Sequence, residues 1–251
     1  MDERAKALRR LQPYVERARH FSGWTLGDVN VRALEPGPPW DYEALARERA
    51  DRAASVLDMG TGGGERLSRI VAGLRCRVMA TEEWHVNAPV AHQLLAPLGI
   101  PVIHCESVQL PFADAAFDLV LNRHEELDPA EAARVLLPGG CIVTQQIGRD
   151  NWQELGQFFP RMQESGDVLG MYTSGFEGLG MTVSRANHNR KVAYATLGDL
   201  VYMLLISPWT IPGFDPEQDI EALLALEEAC GTAEGIILTE SRFLITALKG
   251  R

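Results

Sequence analysis

The run Ser55-Val56-Leu57-Asp58-Met59-Gly60-Thr61-Gly62-Gly63-Gly64 constrains this chain more than any other stretch. A short strand signal that ends in an acid and breaks into alternating glycines describes a turn whose backbone can approach a ligand closely. Such turns lie at the carboxyl ends of strands in parallel α/β sheets, where nucleotide-like ligands bind. The spacing is D-x-G-x-G-x-G. A dinucleotide turn needs G-x-G-x-x-G, and Glu65 (counting from Gly60) or Leu67 (counting from Gly62) stands where its last glycine belongs, so NAD is the weaker reading. A glycine-rich loop with a purely structural job is the alternative.

The pattern downstream fits a ligand-binding sheet. Strands are predicted at 55–59, 77–81, 102–105, 117–122 and 141–146, with helices over about 64–73, 86–98 and 130–136 between them. Strands alternating with helices imply an α/β fold, a parallel sheet covered on both faces. Beyond Gly148 the pattern loosens. It gives a helix over 151–162, a glycine-interrupted mobile stretch over 166–180, a sixth strand within 181–194, helices over 197–206 and 216–229, and a seventh strand at 243–248. Residues 1–20 read as an amphipathic helix, and 21–42, rich in Trp and Pro, as a partly ordered cover. The expectation is a single domain over 1–251. Within it, 1–50 form a helix and lid, 51–148 the cofactor-binding core, and 149–251 the rest of the sheet with additions on the substrate side.

Composition narrows the partners. A chain of 251 residues with 46% hydrophobic content can bury one large core. Its formal charge of -10 argues against a broad grip on phosphate backbones, so nucleic acid is disfavoured. No stretch approaches the ~20 apolar residues of a membrane span, and Met1-Asp2-Glu3-Arg4 lacks the design of a secretory leader, which together predict a cytoplasmic protein with no membrane partner. Cys76, Cys105, Cys141 and Cys230 stand singly, so no metal site is expected.

Four further segments follow the glycine turn in order: Thr81-Glu82-Glu83-Trp84; Glu106-Ser107-Val108-Gln109-Leu110-Pro111-Phe112 with Asp114 and Phe117-Asp118-Leu119-Val120; Leu136-Leu137-Pro138-Gly139-Gly140; and Arg242-Phe243-Leu244-Ile245-Thr246-Ala247. Together with the turn they resemble the class I S-adenosylmethionine-dependent methyltransferases, of the methyltransferase type 11 kind, chiefly over residues 50 to 147. The resemblance implies a Rossmann-like, doubly wound, mostly parallel sheet of seven strands with an antiparallel last strand, an N-terminal helical lid, and an insertion between strands six and seven. It implies S-adenosyl-L-methionine as cofactor. Gly60, Thr61, Gly62 and Gly64 would form the backbone cradle, with Asp58 orienting the loop and the ligand amine. Glu82, or Glu83 after a one-residue slip, would accept both ribose hydroxyls. Glu106 would meet the adenine amine, the Ser107 N–H a ring nitrogen, and Asn122 the methionine end. The departure is Glu at 106, where the family more commonly has Asp.

Methyl transfer from a sulfonium is an in-line displacement, so positioning in a dry pocket is the main requirement. Where the acceptor must lose a proton, His124 is the first candidate base, its reference pKa being about 6.5. Alternatively it bonds a backbone carbonyl or caps a helix, and Glu125 and Glu126 are first-turn acids. Arg123 could bind a carboxylate on the acceptor; Trp24 and Trp209 could line an apolar acceptor pocket. The reading is methyl transfer to a small-molecule acceptor. Two alternatives stay open. One is an RNA base methyltransferase, since Leu204-Leu205-Ile206-Ser207-Pro208-Trp209 is faintly similar to bacterial ribosomal-RNA guanine-N1 methyltransferases. The other is a non-catalytic adenosyl-ligand-binding protein.

Overall fold

The strand that ends in the glycine turn feeds a helix that returns over the sheet. The computed structural model describes residues 3–24, 26, 27, 29–163 and 166–251; the expectations for Met1, Asp2, Thr25 and Asp28 lie outside them. The chain opens with α1 (Glu3–Arg19), which buries Ala7 and Leu11. Next come β1 (Val31–Ala33) and α2 (Tyr42–Arg52), the latter capped by Asp41, whose carboxylate accepts from the Ala44 N–H at 3.1 Å. The alternating core follows: β2 (Ser55–Met59), α3 (Glu65–Ile70), β3 (Arg77–Glu82), α4 (Asn87–Leu95), β4 (Val102–His104), β5 (Phe117–Arg123), α5 (Pro129–Val135) and β6 (Leu136–Ile147). The remainder comprises α6 (Val168–Gly178), β7 (Thr182–Tyr194), α7 (Leu197–Ile206), α8 (Ile220–Cys230), β8 (Gly231–Thr232) and β9 (Gly235–Leu248).

The sheet runs β1-β7-β9-β6-β5-β2-β3-β4, with β8 paired to β9. Pairs β2/β3, β3/β4, β2/β5 and β5/β6 are parallel, and β9 is antiparallel to both β6 and β7. This is the doubly wound α/β arrangement. Apolar residues of α2, α3 and α4 pack with Val56, Leu119 and Leu121 on one face. Those of α5 and α6 pack with Leu57, Met59 and Val120 on the other, and α1, α7 and α8 cover the β7–β9 end.

Several expectations need correction. The sheet has nine strands among the described residues, not seven, because β1 pairs on the outer edge of β7 and β8 folds back on β9. The cover over 21–42 thus contains a strand and, at Tyr42, the start of α2, which the sequence reading lacked. The stretch 166–180 is not irregular: Asp167 caps α6 through the Gly170 N–H at 2.9 Å. The helix over 151–162 shrinks to the short 3-10 turn Gln153–Gln157. The last strand begins at Gly235, well before Phe243.

Candidate active site

The chain leaves β2 toward β3 on one side and returns beside β2 as β5 on the other. The crevice at such a reversal is where open α/β sheets bind ligands. The glycine turn enters it with φ of 65° at Gly60, 64° at Gly62 and 86° at Gly64. It is pinned to β3 by a 2.9 Å bond from the Thr61 N–H to the Thr81 carbonyl. Space forbids side chains as much as conformation does. A Cβ on Gly60 would overlap Glu125 Cγ, and one on Gly62 would lie 2.5 Å from Trp24 Cδ1.

The strand-end acids converge here. Glu82 is buried; its Oε2 accepts from the Gly62 N–H at 2.6 Å and its Oε1 from the Trp84 N–H at 3.1 Å. Each oxygen keeps acceptor capacity, since a carboxylate offers about four lone-pair sites. Burial pushes its pKa up to about 7. Burial does the same for Asp58. Glu125 is also raised to about 7, by burial and by the negative charges of Glu82 and Glu83. Glu83 is exposed and accepts from the Ser107 N–H at 3.3 Å, so that N–H already has a partner. Glu106 is exposed and makes no side-chain hydrogen bond within this cluster among the described residues.

Asn122 is fully buried, level with Met59 across the β2/β5 ladder. Its Oδ1 accepts from Thr144 Oγ1 at 2.8 Å and from Gln146 Nε2 at 2.5 Å, while its backbone carbonyl accepts from Tyr42 Oη at 3.3 Å. One buried polar atom at the turn, Asn122 Nδ2, has no hydrogen-bond partner among the described residues, whereas the Thr61 and Ser107 hydroxyls face the Asp58 and Glu125 carboxylates. Natural interiors rarely leave buried polar atoms orphaned. Bare glycine backbone, an orphaned amide donor and a half-used carboxylate together fit an adenosyl group with its ribose diol and amino-acid tail.

The other predicted residues take different places. His124 follows Asn122 and Arg123 with φ 58°; its N–H donates to the Gln145 carbonyl at 2.9 Å, and its Nε2 lies 3.5 Å from Gln145 Nε2. Burial, then Arg123 and Arg242, hold its pKa well below the ordinary value. Trp24 joins Phe21, Trp84 and Trp209 in an aromatic cluster over the turn, with Trp24 to Trp209 centroids 6.4 Å apart. Arg123 lies in a separate cleft with Trp40, Tyr42 and Arg66.

Sequence reasoning missed Glu125 and Arg66 as site residues. Arg66 carried a signal: a cation in the first turn of α3 opposes the helix dipole, so it needs another reason to be there. Among the described residues, no group of three His, Cys, Asp or Glu side chains could hold a metal ion.

Fold and turn together define a doubly wound, Rossmann-like α/β protein that is similar to methyltransferases over part of its length. Residues 57–144 match the family profile described as a methyltransferase domain. A ubiquinone/menaquinone biosynthesis C-methyltransferase from Nitrosospira multiformis is 26% identical over 131 residues, 48% of this chain; the match spans 53% of that relative's length. Among solved structures, a functionally unknown protein from Deinococcus radiodurans R1 superposes with a TM-score of 0.62 at 16% identity, covering 94% of this chain and 98% of that one. A phosphoethanolamine N-methyltransferase from Haemonchus contortus, in complex with phosphomonomethylethanolamine and S-adenosylhomocysteine, gives 0.54 at 13% identity, covering 83% of this chain and 53% of that one. At these identities the structural likenesses bear on the fold alone.

Proposed function

We propose that this chain, as one domain over 1–251, transfers a methyl group from S-adenosyl-L-methionine to a small-molecule acceptor. The observation that carries the reading is a glycine turn that admits no Cβ, with the orphaned Asn122 Nδ2 and the half-used Glu82 carboxylate set around it. The Haemonchus neighbour's complex with S-adenosylhomocysteine supports the same donor. The charge of -10 disfavours RNA as acceptor, and a small molecule in the cytoplasm is the reading adopted. No helix among the described residues is long and apolar enough to cross a membrane.

The donor supplies an electrophilic methyl on a sulfonium when bound. The residues present do the rest. Gly60, Thr61, Gly62 and Gly64 offer backbone that lets the amino-acid tail and ribose approach, and Glu82, held rigid by two backbone donors, accepts the ribose hydroxyls with its remaining lone pairs. Asp58 orients the turn, Asn122 offers its free Nδ2 hydrogens to the tail, and Ser107 and Glu106 face the adenine edge with Glu83 beside them. Trp24 and Trp209 exclude water above the turn. For a proton on the acceptor, Glu125 is better matched than His124. Its pKa near 7 gives both ionised form and driving force at neutral pH, whereas the depressed His124 is neutral but weakly basic.

The test is calorimetric titration with S-adenosylmethionine and S-adenosylhomocysteine. Micromolar binding that weakens at least about tenfold in Glu82→Ala is expected, because that change orphans two backbone donors as well as the diol contact. Absence of binding to the native chain would overturn the reading.

A further inference from the structure

Asn122 and Arg123 are successive residues of β5, so their side chains leave opposite faces of the sheet. The Arg123 side opens into a cleft of about 410 Å³, a size that suits a small ligand. Trp40 and Tyr42 wall it, and Gln145 closes one side, fixing the Trp40 ring by accepting its Nε1–H at 2.9 Å.

The charges lining the cleft are Asp41, Glu43, Arg66 and Arg123. Three are already spoken for. Asp41 caps α2 through Ala44. Glu43 is bonded to Arg66, and to Arg69 at 2.9 Å. Arg123 alone has no ion pair or hydrogen bond among the described residues, and its Nε is buried without a partner. Burial, with Arg66 and Arg242 as like charges nearby, lowers its pKa to about 10, which leaves it cationic at neutral pH. A guanidinium whose Nε is buried without a partner, in a cleft open to solvent, gains from an anion entering from outside.

We propose that this cleft is the carboxylate-binding subsite of the methyl acceptor, with Arg123 as its ion-pair partner and the Trp40 and Tyr42 rings holding the acceptor's apolar body. The inference rests on the methyltransferase reading, because an acceptor presupposes a donor. The planar guanidinium fork matches a carboxylate with two parallel hydrogen bonds. The Asp41 and Glu43 carboxylates in the same lining disfavour the second negative charge of a phosphate monoester.

The experiment titrates the native chain, saturated with S-adenosylhomocysteine, with acetate, benzoate, phenylacetate and cinnamate. Benzamide and phenyl phosphate serve as matched controls, and Arg123→Gln and Arg123→Lys are run in parallel. At least one aromatic carboxylate should bind about tenfold or more tightly than benzamide. Arg123→Gln should abolish that preference and Arg123→Lys retain part of it, with S-adenosylhomocysteine affinity unchanged in both. The native preference for acid over amide is read without any variant, so a misfolded Arg123→Gln does not spoil the test. Equal affinity for acid and amide, no carboxylate binding at about 10 mM, or tighter binding of phenyl phosphate would each overturn the subsite. If S-adenosylhomocysteine fails to bind while the acid preference persists, the methyltransferase reading falls and the anion site alone survives; the reverse pattern removes only the subsite.

Discussion

The two halves of the sheet divide the work. In β4-β3-β2-β5-β6 all strands point one way, so their carboxyl ends gather at one rim, and all the candidate donor residues on strands or in the turns after them lie there. In the other half β9 runs against its neighbours and pairs with β7 from Thr182↔Leu248 to Tyr194↔Ile236, a long ladder that contributes no candidate donor residue. Its polar groups are mutually satisfied instead: Arg190 with Glu240 at 2.5 Å, Lys191 with Glu154 at 2.7 Å, Asn189 with Ser241 at 2.6 Å. The parallel half leaves polar groups open at its rim and gains a site, whereas the antiparallel half closes its own and gains a platform.

Substitutions should separate the two roles. The largest effect is expected at Gly62→Val, which places a branched side chain against Trp24 at φ 64°; donor affinity should fall about a thousandfold, near 4 kcal/mol, read by calorimetry. In the other half, Leu238→Ala empties a fully buried position and should lower unfolding free energy by about 2–5 kcal/mol in denaturant titration, with donor affinity held within twofold. A change in donor affinity there would break the division.

The pH dependence belongs to the parallel rim. Glu82, Glu125 and Asp58 have folded pKa values raised to about 7, so the folded chain holds protons that the unfolded chain releases. Stability should therefore be greatest below about pH 4 as far as these groups are concerned. It should fall as pH rises toward 7, by on the order of 2 kcal/mol for the coupled cluster. Thermal unfolding followed from pH 5 to pH 8 should show the decline, and Glu125→Gln should flatten it; a rising curve would refute the assignment. The smallest effect is expected at Arg32→Ala, which removes an exposed 3.1 Å pair with Glu234 and should shift stability by no more than about 0.5 kcal/mol.

The same asymmetry governs what the sequence disclosed. The parallel half was legible because each of its signals is local: an apolar run, a glycine turn, a capped helix. Elements that depend on distant partners were not. The run Asn187–Lys191 is polar throughout, with no apolar alternation to mark it as strand, and forms the middle of β7 because its partners lie on β9 and in the turn after β6. Charged α2 hid behind a low apolar content, although Asp41 before Tyr42 was a cap that could have disclosed it. Glu125 and Glu126 are indistinguishable as letters; only the backbone at His124, with its positive φ, decides that Glu125 turns onto Gly60.

The three-residue β1 has a consequence for behaviour in concentrated solution. A thirteen-residue strand at the border of a sheet is an open template for another chain. Here Val31–Ala33 pairs with Tyr194 to Val192; Leu34 then donates to the Lys191 carbonyl at 2.9 Å, and the Pro36 carbonyl meets His188 Nε2 at 3.1 Å. The segment that brings Trp40 to its cleft thereby also masks the strand from 194 down to 188. Deleting residues 31–37 should thus cost more than a cleft wall: light scattering should reveal self-association that the intact chain resists.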